Sequence, residues 1–281
     1  MRVAVMTHRR MEGSSEALRE LMGAARRAGA TLCFDEDETR KLSIEPAEGI
    51  ELGAAQGGGA DLCVVLGGDG TILTALREHV GTEVPVFAVN FGEVGFLATL
   101  DPDGLGRDFD RAFAGEYEIL KLPTIDVGRP ENVWTAINDI SVHRKPGMRV
   151  ADLAYGLAGE EIGRVRCDGL VVATPQGSTG YNLANGGPIL AWGVRGYVVS
   201  FIAPHSLTAR ALVVAPDDLL TINNASREED VEVHVDGRPA CELPAGEDIH
   251  VEFARSFATL AQLPGASFYH RLRERFGRLA K

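Results

Sequence analysis

Cysteine is sparse, with four in 281 residues, and Cys33, Cys63, Cys167 and Cys241 fall nowhere in CxxC spacing. That argues against a zinc ribbon and against a disulfide framework, so buried free thiols in a reducing compartment are expected. The seven histidines show no HExxH or paired spacing, and His143 and His205 are expected to be structural rather than metal ligands. No segment approaches the roughly 20 apolar residues of a membrane span. The stretch Met1 to Met6 is too short for a secretion signal, and the expected location is the cytoplasm. Positive charge is also short: 28 Lys and Arg against 40 Asp and Glu give a formal net charge of −12. Nucleic acid and anionic membrane are therefore poor partners, and any phosphate must be held by local geometry. There is no internal repeat or low-complexity tract, and Gly57 to Gly59 mark only a loop.

What is present is a globular balance, 45% apolar and 24% charged, enough for one large or two moderate domains. Arg2 to Met6 reads as a strand and Ser14 to Ala28 as a helix, capped by Ser14 or Ser15 and followed by Gly29. Thr31 to Phe34 reads as a second strand, and Asp35 to Glu38 as an acidic, solvated turn. Asp61 to Leu66, Thr71 to His79 and Pro85 to Asn90 continue as strand, helix and strand, and Gly104 to Gly115 as a helical crossover. Such alternation predicts a parallel sheet with its ligand at the carboxyl ends of the strands. From Tyr117 onward short β-prone runs dominate, and Ser267 to Leu279 reads as a basic amphipathic helix packing back on the first domain. The expected fold is α/β: a parallel-sheet nucleotide domain at 1–104, a β-rich domain at 105–265 and a returning helix at 266–281.

Gly67, Gly68, Asp69, Gly70 and Thr71 follow the apolar run Leu62 to Leu66, so a glycine hinge with one carboxylate stands where a buried strand should end. The glycines are expected to allow positive φ and close approach of phosphates, and the following helix to offer free N–H groups. A carboxylate repels phosphate. Its presence there points to binding of a divalent cation such as Mg²⁺ or to taking a proton from an attacking hydroxyl.

A second stretch, Asp168 to Pro188, repeats this logic: a strand at Leu170 to Thr174, then a turn rich in hydroxyls (Thr174, Pro175, Gln176, Gly177, Ser178, Thr179), then Gly180, Tyr181 and Asn182. Its donors suit ribose and phosphate oxygens, and Asp168 could accept from a carboxamide. Ser178 or Thr179 could equally serve as no more than a helix cap.

Together GGDGT, the pair Asn138 and Asp139, and DGLVVATPQGSTGYNLANGGP resemble the NAD kinase family in order and spacing. Further matches are Asn90, Phe91, Gly92 with Gly95, Phe96, Leu97; Pro204 to Leu207 with Arg210; and Val235, Asp236, Gly237. The resemblance implies Mg-dependent phosphoryl transfer from ATP, or from polyphosphate, to the 2′-hydroxyl of the adenosine ribose of NAD. By the same resemblance Asp69 is the catalytic base, and Gly67, Gly68, Gly70 and Thr71 hold phosphate. Asn138 and Asp139 hold a ribose and the adenine edge, and Thr179, Gly180, Tyr181 and Asn182 line that pocket. Phe96 is an apolar wall, Asp168 faces the nicotinamide ribose or carboxamide, and Arg166 the pyrophosphate or nicotinamide end, with Arg149 and Ala203 as further contacts. The family also implies a homodimer or homotetramer, and the pocket is expected in a cleft between the two domains.

By that resemblance Gln176, Gly180, Ala184 and Asn185 depart from the usual Thr or Ser, Ala, Ser and Ala, Glu93 stands where a basic or neutral residue is common and Thr74 where Arg or Lys is; Arg238 could restore some charge. A lipid kinase sharing GGDGT would have no use for Asn138 or Gly177 to Tyr181, and a non-catalytic dinucleotide binder would gain nothing from Asp69.

Overall fold

The computed structural model describes residues 1–8, 14–55, 59–91, 95–97, 104–265 and 267–277. Gly57, Gly58, Gly92, Glu93 and Leu279 lie outside that set, as does the N-cap position of the first helix. The chain divides into two compact units, residues 1–122 with 258–281, and residues 123–257.

The first unit contains β1 (Arg2–Thr7), α1 (Ser14–Ala28), β2 (Thr31–Phe34), α2 (Glu36–Leu42), β3 (Ile50–Leu52), β4 (Leu62–Gly67), α3 (Asp69–Glu78), β5 (Val86–Asn90) and α4 (Leu105–Phe113). Its strands run in the order β3-β2-β1-β4-β5, every pair parallel. All six residues of β4 are buried, as an apolar run covered on both faces requires. The core gathers Val3, Val5, Leu21, Leu32, Phe34, Leu62, Val64, Leu66, Phe87 and Phe109. Phe109 belongs to α4, which lies beside α1 and is tied to it by Arg27 and Asp110. That is why the unit extends past 104, where the crossover at Gly104 to Gly115 was expected to leave the domain.

Asp35 to Glu38 does not form the solvated turn that its charge suggests. Asp35 caps α2 by accepting from Glu38 N–H at 2.7 Å. Glu38 is buried, its carboxylate accepting from Thr7 N–H and Oγ1 and pairing with Lys41. A carboxylate so satisfied can leave water without the usual penalty.

The second unit is antiparallel. Its strands are β6 (Glu118–Arg129), β7 (Asn132–Ala136), β8 (Asp139–Arg144), β9 (Ala151–Leu157), β10 (Glu160–Cys167), β11 (Gly169–Ala173), β12 (Tyr197–Ile202), β13 (Leu212–Val214), β14 (Leu220–Asn224), β15 (Val231–Val235), β16 (Arg238–Leu243) and β17 (Asp248–Gln262), with a short helix α5 (Tyr181–Ala184) after β11. One six-stranded sheet runs β13-β12-β11-β8-β15-β16. A second layer contains β10-β9-β14-β17, and apolar side chains of both layers share one core, including Val142, Leu170, Val172, Val233, Leu153, Ile222 and Val251. The end of β17 belongs to the first unit, where Leu260 and Ala261 pair parallel with Val86 and Phe87. The closing helix α6 (Phe268–Phe276) is capped by Ser267, which accepts from His270 N–H. All four cysteines are free; three are buried, and Cys241 is half-buried.

Candidate active site

In the first unit GGDGT spans the end of β4 and the start of α3, with Gly68 extended at the N-cap. Gly67, Gly68 and Gly70 do not take the positive φ that their glycine character suggested. Gly67 is needed for closeness instead: a Cβ there would stand 2.7 Å from Thr71 Oγ1. Gly70 has open space around its absent side chain. Thr71 and Ile72 N–H close onto Gly68 O at 2.9 and 3.1 Å, while the first N–H groups of α3 have no intrahelical acceptor and suit an anion.

Asp69 opens α3, and its carboxylate accepts from Phe96 N–H at 2.9 Å and Leu97 N–H at 3.3 Å. The approach is tight enough that a Cβ on Gly95 would be 1.9 Å from Asp69 Oδ1. Phe96 and Leu97 are buried. Thr74 Oγ1 donates to Gly70 O, and Arg77 Nη2 reaches Thr74 Oγ1 at 3.4 Å, so a cation stands one helical turn beyond the position where the sequence has lost one.

In the second unit Asn138 and Asp139 stand at the entrance to β8. Asp236 organises them, its carboxylate accepting from the N–H groups of Ile137, Asn138 and Asp139 at 3.1, 2.7 and 3.2 Å. Asp236 and Gly237 form the tight turn between β15 and β16 with φ of 48° and 72°. That geometry is the one favoured by Asp-Gly in two-residue hairpins, a sequence signal for Asp236 that the reading of motifs left without a role. Burial first, and the Asp236 charge second, push the Asp139 carboxyl up to about 7.

The TPQG turn after β11 packs directly on this pair: a Cβ at Gly177 would meet Asn138 O at 1.9 Å. Ser178 and Thr179 do not cap a helix. Ser178 Oγ donates to Pro175 O and accepts from Leu190 N–H, and Thr179 Oγ1 donates to Gln176 O. Gln176 is buried, with Nε2 donating to Pro123 O and Ile137 O, both at 2.6 Å. Asn182 is fully buried, its amide donating to the carbonyls of Ser178 and Pro188. Gly180 is exposed, and a Cβ there would lie 3.9 Å from Asp139 Oδ2. Tyr181 stacks on His143 with ring centroids 5.7 Å apart, and burial with the charges of Asp139 and Asp168 raises its hydroxyl pKa.

Asp168 is paired with Arg144 Nε at 2.5 Å, a partner that no spacing in the sequence disclosed. Arg166 is exposed on β10, and its carbonyl accepts from His205 N–H in the loop that contains Ala203. Ala203 has φ of 43°. Arg149 is 88% exposed and faces Glu229 at 3.9 Å. The structure thus brings Asn138, Asp139, Gly180 and Tyr181 together, joins Arg166 to the Ala203 loop, and leaves Arg149 beside an acidic partner.

These features define a phosphotransferase class, in which an acid in a glycine loop is joined to a separate β-rich unit. Residues 14–117 match the ATP-NAD kinase N-terminal domain and residues 137–263 the ATP-NAD kinase C-terminal domain. An NAD kinase of Gemmatimonas aurantiaca is 34% identical, over 99% of this chain and 96% of its own length, and one of Thermobifida fusca 32% identical, over 98% and 88%. The chain belongs to the NAD kinase family. Its fold also matches yeast NADH kinase solved with NADH, at a TM-score of 0.88 and 24% identity over 100% of this chain and 89% of that one. An Archaeoglobus fulgidus NAD kinase solved with ATP matches at 0.75 and 24%, over 100% and 99%.

Proposed function

We propose that this phosphotransferase moves the γ-phosphoryl group of ATP to the 2′-hydroxyl of the adenosine ribose of NAD, with Asp69 as proton acceptor. As the 2′-oxygen bonds to phosphorus and the bridge to the β-phosphate breaks, ADP leaves and the hydroxyl proton passes to the carboxylate. A weak base suffices, because in a loose transition state little proton transfer is needed early. The observation that carries the reading is the carboxylate of Asp69 at the start of α3, fixed by two backbone N–H bonds among glycines.

Gly67, Gly68, Gly70 and Thr71 would hold donor phosphate, Thr71 through its hydroxyl because its N–H already bonds Gly68 O. Asn138 and Asp139 would hold the ribose and adenine edge, with Thr179, Gly180 and Tyr181 as the wall and Asn182 shaping it through its backbone bonds. Asp168, oriented by Arg144, would face the nicotinamide ribose or carboxamide; Arg166, Arg149 and Ala203 would flank the dinucleotide, and Phe96 would be an apolar wall.

Among the described residues no group of three or more His, Cys, Asp or Glu could hold a metal ion. That donor set fits a divalent cation such as Mg²⁺ only as one that arrives on the phosphates of ATP, keeping most of its water. Polyphosphate is the alternative donor. A homodimer or homotetramer is proposed from the family resemblance. A cytoplasmic location is supported by the scattered free cysteines, and no helix among the described residues is long and apolar enough to cross a membrane.

The test is NADP⁺ formation from NAD⁺, Mg²⁺ and either ATP or polyphosphate, with Asp69→Asn beside the wild type. General-base loss should lower kcat by roughly 10² to 10⁴. Turnover near wild type in that variant would remove Asp69 from the role.

A further inference from the structure

Asp69 needs its orientation held, and what holds it leads to the end of the chain. The two amides that bind its carboxylate belong to the short segment Gly95 to Leu97. One of them, Leu97 N–H, is part of the same peptide unit as the carbonyl of Phe96. That carbonyl accepts from Arg271 Nη1 of α6 at 2.6 Å. A guanidinium, one peptide group and the carboxylate therefore form a single hydrogen-bonded chain, in which each bond polarises the next. The same helix makes a second contact: the rings of Phe96 and Phe276 lie 5.8 Å apart, tilted by 30°. Gly95 completes the seat, because any side chain there would displace Asp69 Oδ1.

We propose that Arg271, assisted by Phe276, is a positioning residue for phosphoryl transfer, acting on Asp69 through the Phe96–Leu97 peptide. Arg271 touches no reacting atom. It fixes the peptide that aims the carboxylate, which leaves the remaining lone pairs of Asp69 directed at the acceptor hydroxyl. A misplacement of about 1 Å at such a group can cost on the order of 10²-fold in rate. The inference rests on the reading of Asp69 as proton acceptor, and it concerns Arg271 and Phe276, which no motif of the sequence singled out.

The experiment measures kcat and the KM for ATP of the full-length enzyme with Arg271→Met, Arg271→Lys, Gly95→Ala and the double variant Gly95→Ala/Arg271→Met, alongside Asp69→Asn and the exposed helix variant Arg273→Ala. Arg271→Met should lower kcat about tenfold or more with KM for ATP within twofold, while Arg271→Lys, which keeps a charged donor, recovers most of the loss. Gly95→Ala should lower kcat at least as far, and the double variant should be no worse than Gly95→Ala, because both act on one carboxylate. Arg273→Ala should match wild type. The proposal is overturned if Arg271→Met keeps kcat within twofold, if its loss is not recovered by Lys, if KM for ATP rises in parallel, or if the two losses multiply. Should Arg271→Met fail to fold, kcat must follow the order wild type, Lys, Gln in the Arg271→Lys and Arg271→Gln enzymes; any other order refutes it. Near-normal turnover of Asp69→Asn would instead refute the reading of Asp69 itself.

Discussion

Asp139→Asn is expected to stabilise the second unit by an amount set by pH. Asp139 is 8% exposed. Burial and the neighbouring Asp236 charge raise its carboxyl from an ordinary 3.8 to about 7. At 1.36 kcal/mol per pH unit, this corresponds to about 4 kcal/mol as an upper bound. The sign follows from proton counting. Between about pH 4 and 7 the folded protein keeps a proton that the unfolded chain has released, so stability is greatest below pH 4 and falls as pH rises towards 7. Above that it stays low. Asparagine has nearly the same shape and no charge to bury, so the variant should not show this loss. Both tryptophans of the chain, Trp134 and Trp192, lie in the second unit, so urea unfolding followed by tryptophan fluorescence reads this unit. The two proteins should unfold within about 1 kcal/mol of each other at pH 4, and the variant midpoint should lie roughly 1–2 M higher at pH 8. A gap between them that is constant from pH 4 to pH 8 would refute the reasoning, since it would mean that Asp139 does not hold the proton.

Three further outcomes are expected. Gln176→Met removes the amide that binds the carbonyls of Pro123 and Ile137, and urea titration should show a loss of roughly 2 kcal/mol, since Ile137 O keeps Thr174 but Pro123 O loses its donor. Gly177→Ala drives a methyl group against Asn138 O; calorimetry should find NAD binding weakened at least tenfold, and unchanged affinity would separate Asn138 from the dinucleotide. Asp236→Asn keeps an acceptor for part of the Ile137 to Asp139 backbone but turns an NH₂ group toward another N–H donor. It should cost about 1–3 kcal/mol and reduce NAD affinity, while an unaffected binding isotherm would show that the turn is not needed to present Asn138 and Asp139.

The parallel half of the fold was legible because β1, β4 and β5 are continuous apolar runs followed by helix signals, and local pattern suffices for such elements. Asp35 to Glu38 misled for a physical reason: four consecutive acids read as solvated, although an Asp followed three residues later by Glu is also a helix-start pattern. Strand β10 leaves little trace in the sequence, because charges at Glu160, Glu161, Arg164 and Arg166 and an irregular register between Glu161 and Gly163 break its alternation. Strand β16 is hard to read from sequence because Pro239 sits in it, which only an edge strand tolerates. The motifs located Asp69, Asn138 and Asp139, but not what holds them. Gly95 is 26 residues from Asp69 and Asp236 is 97 from Asp139, and contacts at such separations leave no periodic trace.

The sequence presents four aspartates of similar standing, and the fold separates them by what compensates each charge. Asp236 is surrounded by three backbone N–H groups and serves as a structural anchor. Asp168 is neutralised by Arg144, which leaves it aimed but not isolated. Asp69 is held by two N–H groups with no cation in the chain bonded to it directly among the described residues, so it stays an acceptor with lone pairs to spare. Asp139 is buried with no offsetting cation or donor among the described residues, and it alone is driven toward neutrality near pH 7. The proposed proton acceptor for a hydroxyl needs to be oriented and to keep lone pairs that no cation claims, and of the four Asp69 fits that description best. The assignment therefore rests on how the charges are compensated as much as on the motif, and it would have to be abandoned if Asp168 or Asp139 variants lost turnover while Asp69→Asn kept it.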